Sequence, residues 1–283
     1  MEKFGVIGCG LMGSGIAEVG ARAGIDVVVI EASGAALSAG RARMEKSVER
    51  AVRAQKITAD DATHLLSRLT FSTDFAALHD RTLVIEVVAE NETIKADVFQ
   101  KLDQVVASDE AIFATNTSSL PVVKLAMTTM RPDKFVGLHF FNPATVLKLV
   151  ELTPSLLTSE STIERAKVFV TDVLGKEVIV APDRAGFVVN ALLVPYLLSA
   201  IRMFESGVAS AKDIDNGMML GCAHPIGPLA LCDLIGLDTL AAVAETLYAE
   251  FKEIHMAASP LLMRMTQAGL YGRKSGKGFY EYE

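Results

Sequence analysis

Phe4-Gly5-Val6-Ile7-Gly8-Cys9-Gly10-Leu11-Met12-Gly13 carries a short apolar run straight into three glycines spaced G-x-G-x-x-G. Beyond it, Ile16, Ala17, Val19 and Ala23 recur at near-helical intervals, and Asp26-Val27-Val28-Val29-Ile30-Glu31 closes the unit. The order is strand, glycine turn, helix, strand. Strands without polar interruption are those buried on both faces, as in a parallel sheet covered by helices and joined by right-handed crossovers. In that setting Gly8 allows the tight turn and Gly10, Leu11 and Met12 bring backbone close to a pyrophosphate at the helix N-terminus. Gly13 lets helix and strand pack closely, and Glu31 accepts hydrogen bonds from an adenosine ribose. The Glu31 carboxylate repels a 2′-phosphate, and Ala32, Ser33 and Gly34 supply no arginine to hold one, so NAD is expected over NADP. Arg41 and Arg43 leave room for the phosphorylated cofactor.

Working outward, residues 34–68 show no strand pattern. Met44, Val48 and Val52, then Leu65, Leu66 and Leu69, are periodic apolar positions that predict two helices inserted after the second strand. Strands are then expected at 82–88 and 111–114, with a helix at 92–107 between them and another opening near Pro121 behind Ser118 and Ser119 as caps. Strands at 135–140 and 147–152 flank Asn142-Pro143, and a helix at 161–174 precedes a last strand at 177–180. After Pro182 the pattern is helical throughout, at 186–207, 211–221, 226–250 and 259–269. The reading is α/β: a Rossmann-like doubly wound sheet with a helical insertion after strand two, in a dinucleotide-binding domain over 1–184, followed by an all-helical C-terminal domain over 185–283.

Composition bounds the function. The chain has 283 residues, 51% apolar and 22% charged, which excludes disorder and allows a core without staples. Its net charge of −7 argues against nucleic-acid binding by bulk positive charge. Cys9, Cys222 and Cys232 are an odd number with no C-x-x-C spacing, so neither a disulfide framework nor a metal site is expected. Met1-Glu2-Lys3 runs into a strand with no cleavable apolar region, and no membrane segment is indicated. A cytoplasmic protein is expected.

His139 ends one strand and Glu151 lies in the next. If those strands pair as a hairpin, Glu151 can accept a hydrogen bond from one imidazole nitrogen, fixing the tautomer and supporting the cationic form. The other nitrogen then exchanges a proton with a substrate hydroxyl. The plainer reading is a satisfied core histidine and a solvated glutamate. Thr115-Asn116-Thr117-Ser118-Ser119 is read either as a helix-capping loop or as a ligand contact at the carboxyl end of a strand.

Several long motifs together carry a resemblance. They are Gly8 to Gly13, Glu90 with Lys95, Asn116-Thr117-Ser118-Ser119-Leu120, His139-Phe140-Phe141-Asn142-Pro143 and Glu151. Gly186-Phe187-Val188-Val189-Asn190, His224-Pro225-Ile226-Gly227-Pro228 and Gly272-Arg273-Lys274-Ser275-Gly276-Lys277-Gly278-Phe279-Tyr280 complete the set. From end to end the chain resembles the L-3-hydroxyacyl-CoA dehydrogenase family. The resemblance implies that His139 is the catalytic base, Glu151 its partner, and that Ser118 and Asn190 contact the 3-hydroxyl or thioester carbonyl. It further implies that Glu90, Lys95, Asn142 and Lys274 lie along the NAD site, with Ser118 near both nicotinamide and acyl-CoA. The family's CoA contacts fall on the helical insertion; Ser47 matches, but the lysine expected seven residues on is Ala54, leaving Arg53 or Lys56 to hold a CoA phosphate. The cations Arg41, Arg43, Lys46, Arg50, Arg53 and Lys56, interleaved with Glu45 and Glu49, suit either an anionic substrate or a solvated helix face. The implied activity is NAD-linked interconversion of short-chain (S)-3-hydroxyacyl-CoA, such as 3-hydroxybutyryl-CoA, and 3-oxoacyl-CoA. The implied assembly is a homodimer through the helical domain. Two readings compete: a dehydrogenase of free 3-hydroxy or sugar acids on the same scaffold, and a non-catalytic dinucleotide-binding or crystallin-like protein.

Overall fold

The computed structural model describes residues 2–282 and divides into two compact units, Met1–Asp183 and Arg184–Glu283. The first unit is built on an eight-stranded sheet of order β3-β2-β1-β4-β5-β6-β7-β8. Its strands are β1 (Phe4–Ile7), β2 (Val27–Ile30), β3 (Leu69–Ser72), β4 (Leu83–Glu86), β5 (Ile112–Thr115), β6 (Phe135–Phe140), β7 (Leu149–Pro154) and β8 (Glu177–Val180). All neighbours pair in parallel except β6 and β7, which form an antiparallel hairpin. Every residue of β1, β2, β4 and β5 is buried, as expected of strands covered on both faces. Helices α1 (Leu11–Arg22), α2 (Gly34–Arg53), α3 (Ala59–Ser67), α4 (Glu92–Val105), α5 (Val122–Ala126) and α6 (Glu160–Val168) supply the cover. Ile16, Ala17 and Val19 of α1 and Met44 and Val48 of α2 join Phe4, Val6, Val27 and Val29 in one core.

Three expectations for this unit are corrected. Leu69 is not a helical position: α3 ends at Ser67, and Leu69-Thr70-Phe71-Ser72 is an edge strand whose Leu69 pairs with Val27. It is too short, and too exposed, to write an apolar run. Ser118 and Ser119 do not cap the helix after Pro121; the Asp183 carboxylate accepts Val122 N–H and Val123 N–H, each at 2.8 Å, from sixty residues downstream. The helix expected over 161–174 is regular only to Val168 and widens into a π turn over Phe169–Val173.

The second unit is helical: α7 (Val189–Glu205), α8 (Ala211–Gly221), α9 (Pro228–Ile235), α10 (Leu237–Phe251) and α11 (Pro260–Gln267). The helix expected over 226–250 is broken in two at Gly236, whose φ of 101° a side chain would strain. Leu197, Leu198, Ile201, Leu229, Leu240, Leu247 and Leu262 form its core. Two buried acids organise it. Asp215 caps α9 through Leu229 N–H and Ala230 N–H, and Asp233 accepts Phe279 N–H, Tyr280 N–H and the Tyr282 hydroxyl. The glycine-rich tail therefore folds back on its own domain. No helix among the described residues is long and apolar enough to cross a membrane.

Candidate active site

The glycine loop sits where β1 meets α1. Gly8 has φ 99°, and a Cβ there would lie 2.5 Å from the Val87 carbonyl oxygen; a Cβ on Gly13 would lie 1.9 Å from the Gly8 carbonyl oxygen. Gly10 differs: a Cβ there meets no protein atom within 4 Å. Gly10 is also the N-cap of α1, with no side-chain cap and no acid in the first turn. Leu11 is 63% exposed at the same corner. Helix N–H groups and the positive end of the helix dipole therefore meet open space beside a residue with no side chain, which fits a dinucleotide pyrophosphate. Glu31 directly follows β2, its carboxylate accepting Cys9 N–H at 2.7 Å and Ala32 N–H at 2.8 Å. Arg43 donates to the Cys9 carbonyl and Arg41 pairs with Glu45, so the two arginines that left room for NADP already have partners.

Burial, then the nearby Glu31 charge, pushes the Cys9 thiol up to about 11. Iodoacetamide at pH 8, which needs the thiolate, is expected to leave Cys9 unmodified in the native protein and to label it after unfolding. Native labelling of Cys9, read by peptide mass mapping, would show that the loop opens.

The sheet's register creates the second element. In the β6–β7 hairpin His139 stands directly opposite Glu151, so both side chains leave the same face. His139 Nδ1 lies 2.7 Å from Glu151 Oε2, with Glu151 fully buried and His139 nearly so. The Phe141 ring lies 4.5 Å from the imidazole, centroid to centroid. Asn116 ties this edge to β5: its Oδ1 accepts Phe140 N–H at 2.8 Å. The peptide bond between Asn142 and Pro143, just beyond, is cis.

A third element lies at the carboxyl ends of β4 and β5. Glu90 Oε1 accepts Ser118 N–H at 3.1 Å, the Ser119 hydroxyl at 3.0 Å and the Thr117 hydroxyl. Lys95, fully buried in the opening turn of α4, bridges Glu86 at 2.7 Å and Glu90 at 3.3 Å. At Glu86 burial dominates and raises the carboxyl above its ordinary value. At Glu90 burial also pushes upward, but Lys95, Thr117, Ser119 and Ser118 outweigh it and hold the carboxyl below.

Gly8 to Gly13, Glu31, Glu90, Lys95, Ser118, His139, Asn142 and Glu151 all fall at or beside the carboxyl edge of the sheet, where open α/β sheets take ligands. Ser47, Arg53 and Lys56 lie apart from them along α2 and its end. Arg53 pairs with Glu49 and lines a groove of about 500 Å³ between α2 and α3, with Val48, Val52, Ala62 and Leu66. Asn190 opens α7 and Lys274 binds Asp238 at 2.5 Å, both in the second unit. Glu86 carried no role in the sequence reading, although one signal was present: an acid ending the buried run Leu83-Val84-Ile85, with a lysine nine residues on at a helix start. Asp183 as a cap left no signal, because its partners are remote in sequence. No group of three or more His, Cys, Asp or Glu that could hold a metal occurs among the described residues.

Fold and site together define an NAD-dependent oxidoreductase. Residues 3–184 match the family model described as 3-hydroxyacyl-CoA dehydrogenase, NAD binding domain, and residues 186–282 match the one described as 3-hydroxyacyl-CoA dehydrogenase, C-terminal domain. The chain is 53% identical over 282 residues to the 3-hydroxybutyryl-CoA dehydrogenase of Mycobacterium tuberculosis, covering 100% of this chain and 99% of that protein. It is 41% identical over 286 residues to human mitochondrial hydroxyacyl-coenzyme A dehydrogenase, covering 98% and 90%. Among solved structures it superposes on M. tuberculosis FadB2 with TM-score 0.99 at 53% identity, covering 100% and 99% of the two chains. For (S)-3-hydroxybutyryl-CoA dehydrogenase PaaH1 of Ralstonia eutropha the TM-score is 0.95 at 41% identity, with the same coverage. The chain belongs to the 3-hydroxyacyl-CoA dehydrogenase family.

Proposed function

We propose that the protein interconverts (S)-3-hydroxyacyl-CoA and 3-oxoacyl-CoA with NAD, acting on short chains such as 3-hydroxybutyryl-CoA and acetoacetyl-CoA. The observation that carries the proposal is the His139–Glu151 pair, set by strand register on the sheet edge that also bears the glycine loop. When bound, NAD would supply the hydride acceptor for C3 in oxidation and, as NADH, the hydride donor in reduction. Glu151 accepts a hydrogen bond from Nδ1–H and so leaves Nε2 as the nitrogen that removes the 3-hydroxyl proton while the C3 carbonyl forms. The same Nε2 returns the proton in reduction. Ser118, on the loop held by Glu90, and Asn190 are assigned to the 3-hydroxyl and thioester carbonyl. Gly8, Gly10, Leu11, Met12, Gly13 and Glu31 are assigned to the pyrophosphate and adenosine of NAD, and Glu90, Lys95, Ser118, Asn142 and Lys274 to the rest of its site. Ser47, with Arg53 or Lys56, is assigned to CoA.

The test is NADH oxidation by purified protein with acetoacetyl-CoA, run beside NADPH and beside free acetoacetate. Turnover that needs both NADH and the thioester is expected. Equal turnover of free acetoacetate would replace the substrate class, and NADPH preference would overturn the role of Glu31. The second unit exposes Leu192, Val208 and Leu220, each more than 70% accessible. We assign this apolar surface to a homodimer, the commonest closed assembly, in a cytoplasmic enzyme. Light scattering at twice the 30.3 kDa chain mass is expected.

A further inference from the structure

Glu86 is a fully buried acid at the carboxyl end of β4, and its carboxylate accepts three hydrogen bonds. Its Oε1 accepts the Lys95 ammonium at 2.7 Å and Val88 N–H at 2.6 Å, while Oε2 accepts the Thr115 hydroxyl at 2.8 Å. The Thr115 oxygen in turn accepts Thr117 N–H at 3.3 Å. Three donors converging on two oxygens suit the carboxylate form. Lys95 occupies an equally costly place. It is a buried cation in the first turns of α4, where the helix dipole is unfavourable to positive charge. Packing alone gives no reason for an ion pair here, since apolar residues of similar volume fill such positions as well or better. What the arrangement accomplishes is to hold a cation at a fixed distance from Glu90, whose single oxygen Oε1 gathers the whole 117–119 loop.

We propose that Glu86 is a positioning residue: it anchors Lys95, which fixes the Glu90 carboxylate that holds Thr117, Ser118 and Ser119 in place for reaction. This rests on the acyl-CoA reading above. In Glu86→Gln the shape and the acceptor for Lys95 survive, but the charge does not. Lys95 is then drawn onto Glu90, its remaining counter-ion, and the loop anchor moves with it. Misplacement of Ser118 is felt at the transition state more than in substrate binding, so the effect falls on kcat.

The experiment compares parent, Glu86→Gln, Glu86→Asp, Glu90→Gln and the Glu86→Gln/Glu90→Gln double variant in acetoacetyl-CoA reduction at saturating NADH. Rates are normalised to bound NADH so that unfolded protein does not count. Glu86→Gln is expected to lower kcat about 10- to 100-fold with KM for acetoacetyl-CoA within about threefold of the parent. Because Glu86 acts through Glu90, the double variant is expected to be no worse than Glu90→Gln alone by more than about twofold. Glu86→Asp keeps the charge but draws it back one methylene from Lys95, and should fall between parent and Glu86→Gln; it carries the test if Glu86→Gln does not fold. The proposal is overturned if kcat of the folded variants stays within about twofold of the parent, or if the two losses multiply in the double variant. An unmutated protein that does not turn over acetoacetyl-CoA removes the acyl-CoA reading itself and this proposal with it, an outcome seen before any variant is made.

Discussion

His139→Ala is expected to lower kcat for acetoacetyl-CoA reduction by about 10² to 10⁴, the usual contribution of a positioned general acid or base, while NADH still binds. The imidazole lies on the sheet's hairpin, outside the glycine loop, so cofactor affinity reports on a different part of the unit. Glu151 is fully buried, and its carboxylate is aimed at His139 Nδ1. In His139→Ala that carboxylate loses a hydrogen-bonding partner inside the protein, so some stability is lost as well. His139→Gln, which keeps a polar partner, separates the two effects: stability recovers while kcat remains low. In Glu151→Gln the amide can turn its N–H toward Nδ1, so the imidazole loses the carboxylate that supports its cationic form and Nε2 becomes a weaker proton donor in reduction. Its kcat is expected to fall, and His139→Ala/Glu151→Gln should be little worse than His139→Ala alone, because the pair acts as one unit. Steady-state rates on the parent and the four variants check this; full activity in His139→Ala would remove His139 from the chemistry.

What could be read from residues alone follows a physical division. Short-range periodicity is written in sequence, so β1, α1, β2 and the helical second unit were legible, and the glycine spacing located the turn between the first strand and helix. The His139–Glu151 pair stood as a condition, that two strands form a hairpin, and the register then places the two residues opposite each other. The edge strand β3 was missed because Leu69-Thr70-Phe71-Ser72 is only half buried and continues the apolar spacing of α3. Glu86, the buried acid of the Glu86–Lys95–Glu90 cluster, was missed for another reason. A charged residue closing an apolar strand reads as a solvated end, and only the three-dimensional approach of α4 turns it into a buried ion pair. The Asp183 cap on α5 is of the same kind, a contact closed by topology across sixty residues.

The glycine loop separates two roles that sequence lumps together, and substitution by alanine should expose them. Gly13→Ala puts a methyl 1.9 Å from the Gly8 carbonyl oxygen, a backbone atom that cannot swing aside. Either α1 moves off β1 or the loop distorts, and overpacking of this kind costs about 1–3 kcal/mol or more. For a unit of this size that lowers Tm by roughly 2–12 °C without any cofactor present. Gly10→Ala adds a methyl where no protein atom lies within 4 Å, at a residue with φ −67°, so the protein alone should tolerate it. What the methyl meets is the space assigned to the pyrophosphate. NAD at a hundred times its Kd stabilises the parent by about 2.7 kcal/mol, a Tm rise of roughly 5–10 °C. Gly10→Ala is expected to keep the parent's Tm without NAD and to lose most of that rise, whereas Gly13→Ala starts lower whether or not NAD is added. Thermal melts with and without NAD distinguish the two patterns. A Gly10→Ala protein that still gains the full rise would place the pyrophosphate elsewhere, because no cofactor packed against the backbone at Gly10 could accept a methyl group there without moving.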